Sequence, residues 1–351
     1  MKLLCRKLHF FDLIPRKERI SLDTSCRDAL AGVTLDPCRF CYICGHIYDS
    51  MKHLLAILTL SALLMLAYAC KRSAPLIADE TSYIISVEQW RHDRLEGLKD
   101  KDGWLNLAGI YWLKEGEQTF GSHPSNDIVF PDKAAAFIGT IMLKDEVAHI
   151  KVNDEAELYF KNERVNELEL SYDSSGTPLY IIHGDLAWYI MKRHKSLAIR
   201  LRDYKNPAIE ALDHIPSYPI DPDYLVEATL HPFDESRTLT VNTPFQDYTQ
   251  DYNCPGELHF KLKGNKLQLF PFTSGDGYFI IISDETSAMK TYGGGRYMYT
   301  YPDSTGRILL DFNKAYNPPC AVTPFAACPM PPPENHLPIK IEAGERTLEG
   351  H

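Results

Sequence analysis

The stretch from Asp284 to Glu345 constrains this chain more than any other. It carries the glycine triplet Gly293-Gly294-Gly295, the proline runs Pro318-Pro319 and Pro331-Pro332-Pro333, and the cysteines Cys320 and Cys328. Proline fixes φ and removes an amide donor, whereas glycine opens backbone regions closed to other residues. Such a density of both in one segment is costly unless the backbone must follow one special path. A long helix is excluded there, and any strands must be short and bounded by turns. This segment is therefore expected to be the most specified part of the fold.

Before it, the apolar period is mostly two. Val147–Val152, Glu157–Phe160, Glu167–Leu170, Leu179–His183, Ala187–Lys192 and Leu197–Arg202 read as short strands separated by polar turns such as Asn153-Asp154 and Gly184-Asp185. Later strands are expected at Tyr224–Thr229, Arg237–Val241, Gly277–Ile282 and Arg307–Asp311. His259–Lys263 and Lys266–Phe270 form a hairpin around a Gly264-Asn265 turn. One segment, Ser82–Lys99, has the other period: Ile84, Val87, Trp90, Arg91, Leu95 and Leu98 recur at three- and four-residue steps, as on an amphipathic helix. The expected fold is mainly β: an antiparallel sandwich or barrel with one N-terminal helix and a long Pro-rich C-terminal segment. Residues 82–203 and 224–351 are read as two β halves, with the proline-containing residues 204–223 as the linker between them.

The N-terminus speaks for compartment. From Met51 the chain has a lysine, an apolar run from Leu54 to Leu66, and then Ala67-Tyr68-Ala69-Cys70, which is the layout of a secretory signal. It resembles the lipobox of bacterial lipoproteins, with Ala67 in place of the usual leucine. The run is short for a spanning helix, which needs roughly 20 apolar residues, although a retained anchor is the alternative. Such a signal works at a chain's beginning, so residues 1–50 are read as an extension upstream of the true start, 51–69 as the signal peptide and 70–81 as a tether. The extension includes Cys38, Cys41, Cys44 and His46, spaced like a zinc knuckle, but a zinc site ahead of an export signal makes little sense. Beyond residue 69 the chain has 28 Lys and Arg against 41 Asp and Glu. That acidic body argues against non-specific nucleic-acid binding and leaves the N-terminal lipid as the membrane contact.

Gly121–Phe130 is similar to the start of forkhead-associated sandwiches, where a glycine strand end leads into an Asn-Asp-Ile strand. Ser122 stands where their phosphate-binding arginine would be, and Ala134–Phe137 occupies the downstream motif, so only the sandwich turn is implied. More extensive are Trp104–Leu113, Arg200–Asp203, Asp284–Ser287, Thr291–Tyr297, Asp311–Cys320 and Cys328–His336, through which the mature chain resembles a bacterial family known as domain of unknown function 1684. The family lends no activity or catalytic residues. The resemblance, with Lys71-Arg72 after the cysteine, implies a lipoprotein facing the periplasm.

Among chemical motifs, Thr291–Tyr297 is neither a P-loop nor a dinucleotide fingerprint, and no His-x-x-x-His or Gly-x-Ser-x-Gly occurs. No cofactor or metal is therefore expected. The constrained segments Thr291–Tyr297 and Asn313–His336 flank the strand Arg307–Asp311, and a ligand pocket is expected where their polar groups meet. The candidate binding residues are Tyr292, Arg296, Asp311, Asn313, Tyr316, Asn317, Glu334 and Asn335. Alternatively the same residues form a structural clasp, with Arg296 paired to an aspartate. Three functions stay open: a binding lipoprotein for a small polar or anionic ligand, a hydrolase using carboxylates near Asp311 and Glu334, or a structural envelope protein. In an exported chain, Cys320 and Cys328 are expected to form a disulfide, because the short Pro-containing loop between them can bring the sulfurs together.

If Cys70 carries the lipid, Cys70→Ser moves the protein from the detergent phase to the aqueous phase in a partitioning assay. Unchanged partitioning would show that a retained helix holds it.

Overall fold

The computed structural model describes residues 76–171, 178–193, 196–244 and 249–348, which belong to a unit spanning Pro75–His351. The expected extension, signal peptide and Cys70 lie outside the described residues. No helix among the described residues is long and apolar enough to cross a membrane.

Helix α1, Glu80–Lys99, begins two residues before the expected start. Its N-cap is Asp79, whose carboxylate accepts the amide of Ser82 at 2.9 Å and so satisfies a donor that the helix cannot. Val87 and Leu98 are its buried residues, and Tyr83, Ile84, Trp90, Arg91, Arg94 and Leu95 are half-buried on the same three-and-four spacing.

Eleven strands follow: β1 Leu107–Trp112, β2 Gly116–Gly121, β3 Ile128–Val129, β4 Gly139–Lys144, β5 Val147–Val152, β6 Leu158–Phe160, β7 Glu163–Val165, β8 Glu167–Ser171, β9 Ile181–His183, β10 Leu186–Arg193 and β11 Ser196–Asp203. They make two sheets, in the order β1-β11-β10-β9-β6-β7 and β3-β2-β4-β5-β8. Between them lies a core that includes Phe120, Phe130, Ile141, Ile150, Ile199 and Leu201. Trp188 on β10 is fully buried and meets Phe120 of the opposite sheet edge-on at 5.8 Å and Phe130 at 6.2 Å. This half is a sandwich and not a closed barrel.

Residues 204–223, read as the linker, contain a short packed helix. Asn206 caps a short helix α2, Pro207–Ala211, by accepting the amide of Ala208 at 3.1 Å, and Pro207 stands in its first turn, where a missing amide costs nothing. Ala208, Ile209, Leu212 and Ile215 then pack against a cluster of Leu98, Leu105, Val322 and Leu348. A proline taken as a breaker acts here as a helix starter.

The second half contains β12 Leu225–Asn242, β13 Thr249–Leu262, β14 Asn265–Leu269, β15 Phe272–Ser274, β16 Gly277–Asp284, β17 Arg296–Thr300, β18 Ile308–Asp311 and β19 His336–Leu337. The two segments expected as separate strands at 224–229 and 237–241 are one long strand, β12, whose register shifts between Pro232 and Arg237. That irregularity lets a proline sit inside a strand. The order β14-β13-β12-β18 forms one sheet, and β15-β16-β17 with β19 beside β16 forms another. The β13–β14 hairpin is present, but Lys263 and Gly264 are its turn, with φ of 48° and 84°. A two-residue turn of this hand needs positive φ at both positions, and the Asn265 amide clasps it by donating to the Lys263 carbonyl at 3.2 Å.

Because Trp188 joins both sheets of the first half, Trp188→Ala should lower unfolding free energy by about 3–5 kcal/mol in urea denaturation.

Candidate functional site

The glycine triplet and the C-terminal segment meet as the sequence suggests, but what they build is a clasp. Gly295 has φ of 83°, and a Cβ there would collide with Pro331 and with the Ile282 carbonyl, so the chain can turn into β17 at this point only with glycine. The next residue, Arg296, is 1% exposed. Its guanidinium donates to Asp284 Oδ2 at 2.7 Å, to the Ile341 carbonyl at 3.1 Å and to the carbonyls of Ala343 and Glu345. Asp284 is satisfied in turn by the amides of Thr286 and Ile341 and by the Thr286 hydroxyl. Both terminal nitrogens of Arg296 thus donate to protein, and this residue ties the last part of the chain onto β16 and β17.

The other expected site residues divide in the same way. Asn335 makes a reciprocal pair with the backbone of Phe270, at 2.7 and 3.0 Å. Asn313 is fully buried, accepts the Asp221 amide and donates to the Asp221 carbonyl and the Tyr83 hydroxyl. Asp311 accepts from Tyr83 at 2.8 Å and caps the turn Phe312–Lys314; burial pushes its carboxyl up. Asn317 donates its amide to Glu345 Oε2 at 2.6 Å, and Arg94 from α1 reaches both the Asn317 carbonyl and Glu345 Oε1. Glu345 is almost wholly buried, and burial raises its carboxyl against the lowering effect of Arg94. Tyr292 donates to the Cys320 carbonyl at 3.3 Å, and burial raises its hydroxyl. Glu334 is exposed and borders a separate shallow groove with His259 and His336. The expected pocket around Arg307–Asp311 is therefore not where these residues gather, because an irregular backbone crossing a sheet takes their polar groups as its own partners. Cys320 and Cys328 are neighbours, with the Cys320 amide 3.0 Å from Cys328 Sγ, but both are free thiols and the expected bond is not formed.

Of the eight residues, Tyr316 alone lines a cleft of about 1490 Å³ between the outer face of the β1–β11–β10 sheet and the β15–β16–β17 sheet. Register explains what the first half presents there. On β11, Ile199 and Leu201 point into the sandwich core, so Ala198, Arg200 and Arg202 point the other way. Ile110 and Tyr189 flank Arg200, and Trp112 and Met191 flank Ala198. The opposite wall supplies Phe279, Tyr297 and Tyr299, with Phe279 and Tyr299 stacked at 4.9 Å. The helix contributes Trp90 and Arg94, the latter 4.6 Å above the Tyr316 ring.

The cleft has eight aromatic residues and three arginines, Arg94, Arg193 and Arg200, and no aspartate or glutamate among its described lining. That sign is opposite to the rest of an acidic body. Arg200 is the unusual member. It is 6% exposed, its guanidinium lies 5.6 Å from the Trp104 ring centre, and it donates to the Phe325 carbonyl at 3.3 Å. Its Nε is buried without a hydrogen-bond partner. Burial holds its ionisation below the ordinary arginine value, and Arg193 and Arg202 push the same way. Guanidinium stays charged regardless, so the cleft holds a cation whose counter-charge the protein does not supply. By contrast Arg202, on the same face, is spent on Gly103, Asn106 and Tyr180. The sequence signal for Arg200 was its place in a strand whose alternate residues are wholly apolar. No group of three metal-ligating side chains occurs among the described residues.

Comparison with known proteins adds family and little else. Residues 210–346 match the family model described as Protein of unknown function (DUF1684). Among solved structures, an uncharacterized protein from locus rrnAC0354 of Haloarcula marismortui is 35% identical over 40% of this chain and 80% of its own, with a TM-score of 0.34. The FHA domain of FhaA, solved with the intracellular domain of Rv3910, matches at 16% identity over 26% of this chain and 97% of its own, with a TM-score of 0.19. No curated protein matches.

Arg296→Met should cost about 3–5 kcal/mol in chemical denaturation, since it leaves Asp284 buried and unpaired. Glu334→Gln should change stability by less than about 0.5 kcal/mol in the same assay.

Proposed function

We propose that this chain, which belongs to the DUF1684 family through residues 210–346, is a binding protein whose cleft takes a small anionic ligand with an apolar, ring-bearing body. The observation that carries this reading is Arg200: a buried cation with an unpartnered N–H, set in an aromatic cleft that has no carboxylate among its described lining. A buried charge without a partner is costly, and a protein keeps one most readily where a ligand completes it. A carboxylate, sulfonate or phosphate beside Arg200 Nε would supply that partner. Arg94, held by Glu345 and Asn317, adds positive potential from the far wall without being free to pair. The tryptophans and tyrosines supply flat apolar surface for the body of the ligand.

The hydrolase reading draws no support from its proposed acids. Asp311 is occupied by Tyr83 and by the turn that it caps, and Glu334 borders a different groove. The proposed placement is the cell envelope facing the periplasm, with lipid on Cys70. It is supported by the export-signal layout at residues 51–70.

The test uses 8-anilinonaphthalene-1-sulfonate and its uncharged relative N-phenyl-1-naphthylamine, titrated with fluorescence readout. Arg200→Gln should weaken the sulfonate about 10- to 100-fold, the worth of one charge-assisted hydrogen bond, and leave the uncharged probe within about twofold. The variant should also melt no lower than the parent, because it removes an uncompensated buried cation. Equal loss of both probes, or no loss of either, would reject the anion site.

A further inference from the structure

We propose that Cys320 and Cys328 are a reversible dithiol–disulfide pair, with Cys320 as the attacking thiol and Cys328 as the resolving one. The proposal does not depend on what the cleft binds. It starts from the juxtaposition that the fold enforces. The Cys320 amide donates to Cys328 Sγ at 3.0 Å, and an N–Cα bond of about 1.5 Å then puts that sulfur within about 4.5 Å of Cys320 Cα. Both ends of the loop are pinned. Tyr292 holds the Cys320 carbonyl at 3.3 Å, Tyr297 holds the Pro329 carbonyl at 2.7 Å, and Pro318, Pro319 and Pro329 stiffen the flanking backbone. With the Cys328 sulfur kept this close to the Cys320 Cα by anchored backbone, a side-chain rotation at Cys320 can join the two sulfurs without rearranging the sheets.

The two sulfurs differ in a way that assigns their roles. Cys328 is 4% exposed, whereas Cys320 is only partly buried, so a reagent in solution meets Cys320 first. The neighbouring Cys328 thiol holds the Cys320 thiol below its ordinary value against the opposing effect of burial, and the same contact with burial pushes Cys328 up. The exposed sulfur is thus the better thiolate. Cys254 marks the contrast: it is fully buried, its thiol donates to the Gly256 carbonyl, and burial raises it.

With a small-molecule disulfide RSSR as oxidant, the Cys320 thiolate attacks one sulfur, forms a mixed disulfide and releases one RS⁻. The Cys328 thiol then gives its proton to solvent and attacks the Cys320 sulfur, which closes the protein disulfide and releases the second RS⁻. The dithiol loses two electrons and RSSR gains them. Cys328 and Pro329 are also part of the cleft wall, so the exchange happens at its edge.

The test equilibrates the reduced full chain with glutathione mixtures from fully reduced to fully oxidised, blocks remaining thiols and maps peptides by mass spectrometry. Expected is a form lacking two hydrogen atoms, cross-linked between Cys320 and Cys328 and reversed by dithiothreitol. Cys328→Ser should stop at a glutathione adduct on Cys320, and Cys320→Ser should give neither adduct nor bridge at these positions. In the unmutated protein, where no variant needs to fold, alkylation should reach Cys320 before Cys328 and Cys254. A chain that forms no 320–328 bridge at any mixture overturns the proposal. So does one in which Cys328 is alkylated first, or in which Cys320→Ser gives an adduct on Cys328.

Discussion

The Arg296–Asp284 pair is the interaction on which the second half depends. Both side chains are out of water, and a buried ion pair is tolerable only when its remaining donors and acceptors are also met. Here the extra partners are the carbonyls of Ile341, Ala343 and Glu345 and the amides of Thr286 and Ile341. The C-terminal segment has little regular structure beyond the short β19, so its backbone groups need side-chain partners, and the pair needs that backbone. Each makes the other affordable. The consequences reach α1, because Glu345, brought in by this docking, receives Arg94 and the Asn317 amide. The pocket-bearing arrangement of helix, Pro-rich segment and β17 thus hangs on one guanidinium.

Arg200 is the informative contrast. It is buried like a structural arginine and has the same chemistry, yet it lines the cleft and its Nε has no hydrogen-bond partner. Arg200 is a buried cation with no carboxylate beside it and an N–H left without a partner, and such breaks of local satisfaction tend to coincide with sites. The tryptophans and tyrosines around it lower the local dielectric, which raises both the cost of leaving the cation alone and the gain from an anion that reaches it.

The cysteine pair sits between these two regimes. Its backbone is held by Tyr292 and by Tyr297, the latter a part of the cleft wall, while its sulfurs remain thiols. Rigidity here serves proximity, which is what thiol exchange requires.

By itself the sequence determined the fold class, the helix on Ile84, Val87 and Leu98, most of the strands, and the special standing of the Gly- and Pro-rich segment. These follow from local period and backbone restriction, which a chain carries in its own order. It also offered the clasp as one of two readings of Arg296 without deciding between them. Only the tertiary structure decided that Arg296, Asn313 and Asn335 are bound from within, because their partners are distant in the chain. It also placed a short packed helix, Pro207–Ala211, within the expected linker and joined two expected strands into one. The cleft was illegible for the same reason: Arg200, Trp104 and Tyr316 lie far apart in sequence, and only packing one sheet's outer face against another brings them to a single cleft.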